Sequence, residues 1–365
     1  MTEPMNIMEL SAIAKKDRPD RTTHLTVLER DDVVAYAQEL RPDVVAASAI
    51  TGSHSQYVQA LGAIKQALPD TFAILGGPYC STFPDAILQN EFLDAIGIME
   101  CDDAWPVLLD TLEGQGDINE IPNIITKDNA SQRLVKDLAT GQTIARPDSY
   151  NDRFSDLDGL PYLDRPLVYD RTAFFHRPKR THMAGRGCPF RCQYCFEQDW
   201  NKAFHGKGRM LQRYSVDRFI DELEEVGAKW DTRFWKFYDD VFPTFPSDID
   251  WLTEFSEKYR ERIGLPFHCL TRCDLVVKMS KSLKAHLLLN SLVQHMQESG
   301  SDTAMKSSQS SLNNSPMRVS FSAVVIPSMK SCRSLNCPQT STLTSLLVNS
   351  TQNLRADHYA HNRCS

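Results

Sequence analysis

Three kinds of residue run out before the chain does. Of the 47 acidic residues only Asp357 lies in the last 63 positions, the 16 glycines end at Gly300, and the five tryptophans end at Trp251. Residues 303–365 are instead rich in Ser, Thr and Asn. A folded α/β segment of that length needs glycine for turns and acidic groups for helix starts, so no fold is expected there. Other absences narrow the class. No apolar run approaches the roughly 18 residues of a membrane-spanning helix, and the N-terminus lacks the charged-then-apolar pattern of a secretory signal. A cytoplasmic location without a membrane span is therefore expected. A net charge of −7 provides no basic field for a nucleic-acid backbone, so no such partner is expected. Ten cysteines, unevenly spread, make no disulfide scaffold, and a cluster of them in a reducing compartment reads as metal or redox chemistry. What remains is an ordinary globular composition, 41% hydrophobic and 24% charged, in a chain long enough for two domains.

The first 150 residues alternate between strand-like and helix-like patterns. β-branched runs occur at 22–29, 43–50, 71–75 and 94–99, and helical patterns at 5–16, 31–40, 53–68 and 102–112. Alternation of this kind predicts an α/β fold, a doubly wound, Rossmann-like parallel sheet. Ligands bind such sheets at the carboxyl ends of strands, where Ser48 to Ser53 and Gly76-Gly77 fall. Small residues there let a flat ligand approach the backbone, or make tight turns and nothing more. A buried first strand is missing, because residues 5–16 read as a helix with no apolar run before it. Residues 141–178, punctuated by Pro147, Gly159, Pro161, Pro166 and Pro178, read as a linker along the surface of one domain.

After a strand-like run from Thr181 to Ala184 comes Gly185-Arg186-Gly187-Cys188-Pro189-Phe190-Arg191-Cys192-Gln193-Tyr194-Cys195. Three thiolates in a C-x3-C-x2-C spacing, on a loop bent by Gly and Pro, can converge on one soft metal centre. A structural zinc site wants a fourth ligand, and the nearest histidines, His182 and His205, are not in a finger-like arrangement. Three cysteines without a fourth suit a cubane iron–sulfur cluster with one iron left open. The basic stretch Lys202 to Arg213 reads as a solvated loop or as a contact for a substrate phosphate.

C-x3-C-x2-C with an aromatic before the third cysteine, after the first strand of a barrel, resembles the radical S-adenosylmethionine (SAM) superfamily. The resemblance implies that Cys188, Cys192 and Cys195 hold a 4Fe-4S cluster whose open iron chelates SAM. Reductive cleavage then gives a 5′-deoxyadenosyl radical that abstracts hydrogen. It places Tyr194 near the adenine. Phe234 to Tyr238 would be a second barrel strand ending at Asp239-Asp240, where the resemblance puts the methionine amino group; the pair also reads as helix N-caps. Pro266 to Thr271 would be a third strand, and Glu298 the acid ending the fourth, against the cofactor ribose.

Residues 1–145 are similar to the cobalamin-binding domain that precedes the barrel in one branch of this superfamily. Ser48, Thr51 and Gly52 match its S-x-T-G loop with one residue inserted, and Gly76 and Gly77 match its second strand end. The D-x-H-x-x-G loop that donates an axial histidine is absent, and His24 and His54 sit in the wrong context to replace it. The expected division is a cobalamin-binding-like domain at 1–145, a linker at 146–178, an incomplete (β/α)6 radical SAM barrel at 179–302, and a tail at 303–365 that is disordered or out of frame. The resemblance implies methyl transfer or ring formation and rearrangement on a small-molecule or natural-product-like substrate. It also implies a reductant such as flavodoxin or ferredoxin. A non-catalytic cofactor-binding remnant and a radical SAM enzyme without cobalamin stand as alternatives.

Overall fold

The computed structural model describes residues 3–114, 116–242, 248–272, Leu275 and the backbone of a strand at 319–323, all within one compact unit, Glu3–Val325. The chain is an α/β protein. Its N-terminal half runs α1 (Met5–Lys15), α2 (Val33–Leu40), β1 (Val44–Ser48), α3 (His54–Ala67), β2 (Phe72–Gly76), α4 (Pro78–Thr82), α5 (Ala86–Gln89), β3 (Ala95–Gly97), α6 (Ala104–Leu112) and β4 (Ile124–Thr126). The sheet order is β1-β2-β3-β4, with the first three parallel and β4 antiparallel at the edge. Side chains alternate across it. Leu75, Ile96 and Ile125 pack with Leu61, Cys80 and Ile87 from α3 to α5, whereas Ile74, Ala95 and Ile124 meet Ala104 and Leu108 of α6. Burial on both faces explains why these strands read as apolar runs.

Two expectations need correction here. Residues 22–29 form no strand: a strand exists by pairing, and this segment has no strand partner among the described residues. The helix expected at 31–40 starts at Val33, because Asp32 takes the cap by accepting from the Ala35 amide at 3.0 Å.

Two short elements, α7 (Ala130–Arg133) and the β5 (Leu134–Lys136) and β6 (Thr143–Ala145) hairpin, lead into the segment read as a linker. It does not stay on the surface. Leu157, Leu160, Arg165, Val168 and Tyr169 are buried, the last three on α8 (Arg165–Tyr169).

The C-terminal half contributes β7 (Lys179–His182), β8 (Gly185–Arg186), α9 (Glu197–Ala203), β9 (Gln212–Arg213), α10 (Val216–Lys229), β10 (Phe234–Phe237), α11 (Ile249–Arg262), β11 (Phe267–Thr271) and β12 (Val319–Ala323). Four of these form a parallel sheet in the order β12-β11-β10-β7, without closure into a barrel among the described residues. Ser215 caps α10, and Val216, Phe219, Ile220, Leu223 and Val226 recur at helical spacing to bury one face. Phe219, Phe237, Phe255, Tyr259 and Phe267 fill the layer between helices and sheet with tilted and edge-on ring pairs. No helix among the described residues is long and apolar enough to cross a membrane.

Candidate functional site

At the carboxyl edge of the first sheet, Ser48 lies opposite Gly76 in register, with Gly97 ending the next strand. Gly77 has φ +90°, and a Cβ there would stand 2.7 Å from both the Ala49 carbonyl and Ser48 Oγ, so only glycine fits. The Ala49 amide donates to the Gly76 carbonyl at 2.9 Å, and the Tyr79 amide to the Ala49 carbonyl at 3.0 Å. These bonds fix a flat, side-chain-free ledge. Ile50, Thr51 and Gly52 stand exposed above it, Gly52 at φ +99°. Asn6 of α1 donates to Ser48 Oγ at 2.7 Å. The ring of His54, which sequence reasoning set aside, stacks on Tyr79 at 4.0 Å. Gly77 lets the two strand ends close on each other, while a Cβ at Gly76 would meet nothing nearer than 3.6 Å and one at Gly52 nothing within 4 Å, so the edge is left open to a large planar group such as cobalamin.

The cysteine loop grows out of β8, which pairs with β9. A Cβ on Gly185 or Gly187 would stand about 2 Å from the carbonyls of Gln212 and Met210, so glycine lets the loop root lie directly on the opposite backbone. Cys188 is buried against Val241 and Leu275, while Cys192 and Cys195 are half-buried; none of the three is in a disulfide. Asn201 donates to the Cys188 carbonyl at 2.9 Å, and the Cys195 amide to the Cys192 carbonyl at 3.0 Å. Arg272 Nη1 approaches Cys192 Sγ at 3.6 Å, with its guanidinium over the Phe190 ring. Burial, with a smaller push from the Asp240 and Glu197 carboxylates, raises the Cys188 thiol to about 11. Among the described residues no three His, Cys, Asp or Glu side chains are gathered as a metal would gather them. The fit lies in the donor set, three thiols on one loop.

Tyr194 is exposed. Asp239 is buried at the end of β10, its two oxygens taken by the Ala184 amide at 2.9 Å and Arg213 Nη1 at 2.6 Å. Asp240 is reachable by solvent yet crowded by protein, and that crowding, with the Asp239 charge beside it, pushes it up to about 6. Of the two, Asp240 is the carboxyl exposed to solvent. Glu298 lies outside the described residues. His182 is turned away from the loop: its Nδ1 accepts from the Met183 amide at 2.8 Å and its Nε2 lies 3.1 Å from Glu222.

Sequence reasoning missed Glu197 and Arg153. Glu197, two residues after Cys195, is 5% exposed with Oε2 unpartnered, and burial, then Asp240, pushes it up to about 7. Arg153 lies over Phe204 and donates to Asn201 at 2.7 Å, and it also lines an open cleft of about 770 Å³ with Asp103, Phe154 and Lys207. Neither carries a spacing signal. Only the fold brings the 150–156 segment beside the cysteine loop.

The fold and the site define a class: a sheet of cobalamin-binding type ahead of a parallel strand and helix layer that carries a three-cysteine loop. Residues 3–109 match the B12 binding domain family. The chain is 23% identical over 259 residues to cytidylyl-2-hydroxyethylphosphonate methyltransferase of Streptomyces wedmorensis, covering 66% of this chain and 47% of that protein. It is 25% identical over 230 residues to hopanoid C-3 methylase of Methylococcus capsulatus, covering 61% and 40%. Among solved structures, the cobalamin-dependent SAM radical enzyme OxsB superposes with a TM-score of 0.58 at 15% identity, over 76% of this chain and 37% of that one. The chain thus spans less than half the length of these relatives. These likenesses agree with the resemblance read from the sequence: a B12-binding match at the N-terminus, similarity to a methyltransferase and a methylase, and the fold of a cobalamin-dependent SAM radical enzyme.

Proposed function

We propose that the chain is a cobalamin-binding radical SAM enzyme that methylates a small molecule or forms or rearranges a ring in it. The observation that carries this reading is a C-x3-C-x2-C loop that follows β7, the first strand of a parallel sheet, by way of β8, in a chain whose residues 3–109 match the B12 binding family. Cobalamin would lie on the ledge of Ser48, Thr51, Gly52, Gly76 and Gly77. Cys188, Cys192 and Cys195 would hold a 4Fe-4S cluster, with SAM near Tyr194, Asp239, Asp240 and Glu298. When bound, these groups supply reductive sulfonium cleavage, hydrogen abstraction and a methyl carrier.

The protein's own part is positional and electrostatic. A Cys188 thiol held near 11 must give up its proton to bind a metal, so loading releases protons and is favoured at higher pH. Arg272 beside Cys192 stabilises charge on that sulfur. Asp240, ionised above about 6 and accessible, offers a carboxylate to an ammonium group. The division at 145, 178 and 302 belongs to this proposal, with residues 303–365 read as out of frame. Flavodoxin or ferredoxin would deliver the electron, in the cytoplasm.

Anaerobic reconstitution with iron and sulfide, followed by dithionite and SAM, tests the reading. Expected are about four irons per chain, deoxyadenosine formation and retained cobalamin, with iron lost in Cys188→Ala, Cys192→Ala and Cys195→Ala. Deoxyadenosine without cobalamin retention would leave a radical SAM enzyme that does not use cobalamin. A cluster without deoxyadenosine would leave a remnant, and no cluster would refute the reading.

A further inference from the structure

The cysteine loop is tied to the first sheet through one guanidinium. Arg186, two residues before Cys188, donates from Nη1 and Nη2 to the two oxygens of Asp102 at 3.0 and 2.8 Å, and from Nη2 to Glu9 Oε1 at 2.8 Å. Glu100 Oε2 stands 3.9 Å from the same guanidinium and accepts from the Phe154 amide at 2.9 Å. The four side chains come from β8, from α1 and from the turn between β3 and α6, and all are largely buried. A two-oxygen grip on a planar guanidinium fixes direction as well as distance. Glu9 is three residues from Asn6 on α1, the residue that holds Ser48 Oγ, so one face of the helix reaches both the ledge and the loop root.

We propose that Glu9 and Asp102 are positioning residues that, through Arg186, hold the cysteine loop in place against the sheet whose strand ends form the cobalamin ledge. The functional meaning rests on the reading of that loop as the cluster site. Neither residue touches the loop sulfurs, so both act through Arg186. The network holds more negative than positive charge, and burial with the Asp102 charge pushes Glu9 up to about 7 in spite of Arg186. A neutral side chain that still accepts from Arg186 should therefore serve at position 9.

Alkylation of Cys188 by iodoacetamide, followed by mass spectrometry on the metal-free full chain at fixed pH and well below each melting temperature, reads the clamp without any cofactor. Glu9→Ala is expected to speed it about tenfold, the opening that follows loss of one charge-assisted hydrogen bond, and Asp102→Ala, which loses two, by at least as much. Glu9→Gln should return to within about twofold of the parent, because its amide oxygen still accepts from Arg186. Arg186→Lys, which keeps the charge and loses the fork, should give an intermediate rate. Lys15→Ala removes a different α1 ion pair, to Asp164, and should leave the rate unchanged. Parent-like rates in both alanine variants overturn the proposal, as does an equal rise in Lys15→Ala or a failure of Glu9→Gln to restore. Absence of iron after reconstitution of the parent chain would instead refute the cluster reading, and the alkylation rates would still decide the clamp.

Discussion

Removing one carboxylate near the N-terminus should loosen the root of the cysteine loop. Glu3 and Arg165 are each 1% exposed and meet at 2.9 Å. The same Glu3 oxygen accepts from the Thr181 hydroxyl at 2.7 Å and the Thr181 amide at 3.2 Å, on the strand that leads to Cys188. Arg165 also donates to Tyr169 Oη and the Thr181 carbonyl, so in Glu3→Ala it stays in place and loses its contacting counter-charge. Breaking such a buried pair costs about 3–5 kcal/mol. The orphaned Thr181 donors add to that only in part, since they share the oxygen that is lost. A loss of about 4 kcal/mol is a large part of the roughly 5–15 kcal/mol by which domains are stable. Urea unfolding followed by tryptophan fluorescence reads it directly, because Trp235 lies beside the Arg165 guanidinium and Trp230 against Tyr169. Replacing both partners, as Glu3→Leu with Arg165→Met, should recover most of the loss, since two apolar side chains need no counter-charge. A cost below about 1 kcal/mol in Glu3→Ala, or a double variant worse than the single, would refute the reasoning.

The raised Glu9 makes stability depend on pH. Between the unfolded value of 4.5 and about 7 the folded chain binds the extra proton, so Glu9 favours folding fully below 4.5 and that advantage is lost as pH rises through 7. Relative to Glu9→Gln, the parent should lose stability as pH rises from 4.5 to 8, measured by urea midpoints, and parallel curves would count against it. Gly77→Ala forces a Cβ to 2.7 Å from the Ala49 carbonyl at φ +90°; it should cost about 2 kcal/mol or more and abolish cobalamin retention, and an unchanged midpoint would contradict the ledge geometry. Phe237→Ala, in the centre of the aromatic layer, should cost about 3–5 kcal/mol in the same assay while leaving cobalamin retention intact.

Local signals in the sequence located the cysteine loop, β1 to β3, and α3. Gly77 and Gly187 mark backbones that lie on other backbones, and β-branched runs mark strands buried on both faces. Partnership was not legible. Asp239 reads as a strand-end acid free for a ligand, yet Arg213, 26 residues earlier, already takes one of its oxygens. Residues 22–29 have the composition of a strand and no strand beside them. β4 escaped notice because three residues of an antiparallel edge give no periodicity to read. The Arg186 network is spread over three elements far apart in sequence, so no spacing announces it.

The strand Val319–Ala323 shows how little a parallel sheet asks of the segment it accepts. Its backbone pairs with β11, Phe267 opposite Val319 and Thr271 opposite Ala323. Any short β-compatible run can satisfy such a ladder, whereas a strand and helix unit also needs a turn and a capped helix. Residues 303–365 hold such a run in a stretch with no glycine and one acidic residue. The out-of-frame proposal predicts that another reading frame of the DNA downstream of codon 278 encodes glycine-containing strand and helix units in the spacing of those between β7 and β11. Resequencing and three-frame translation decide it. If no frame restores that pattern, the composition break belongs to the protein itself, and β12 is a strand it uses.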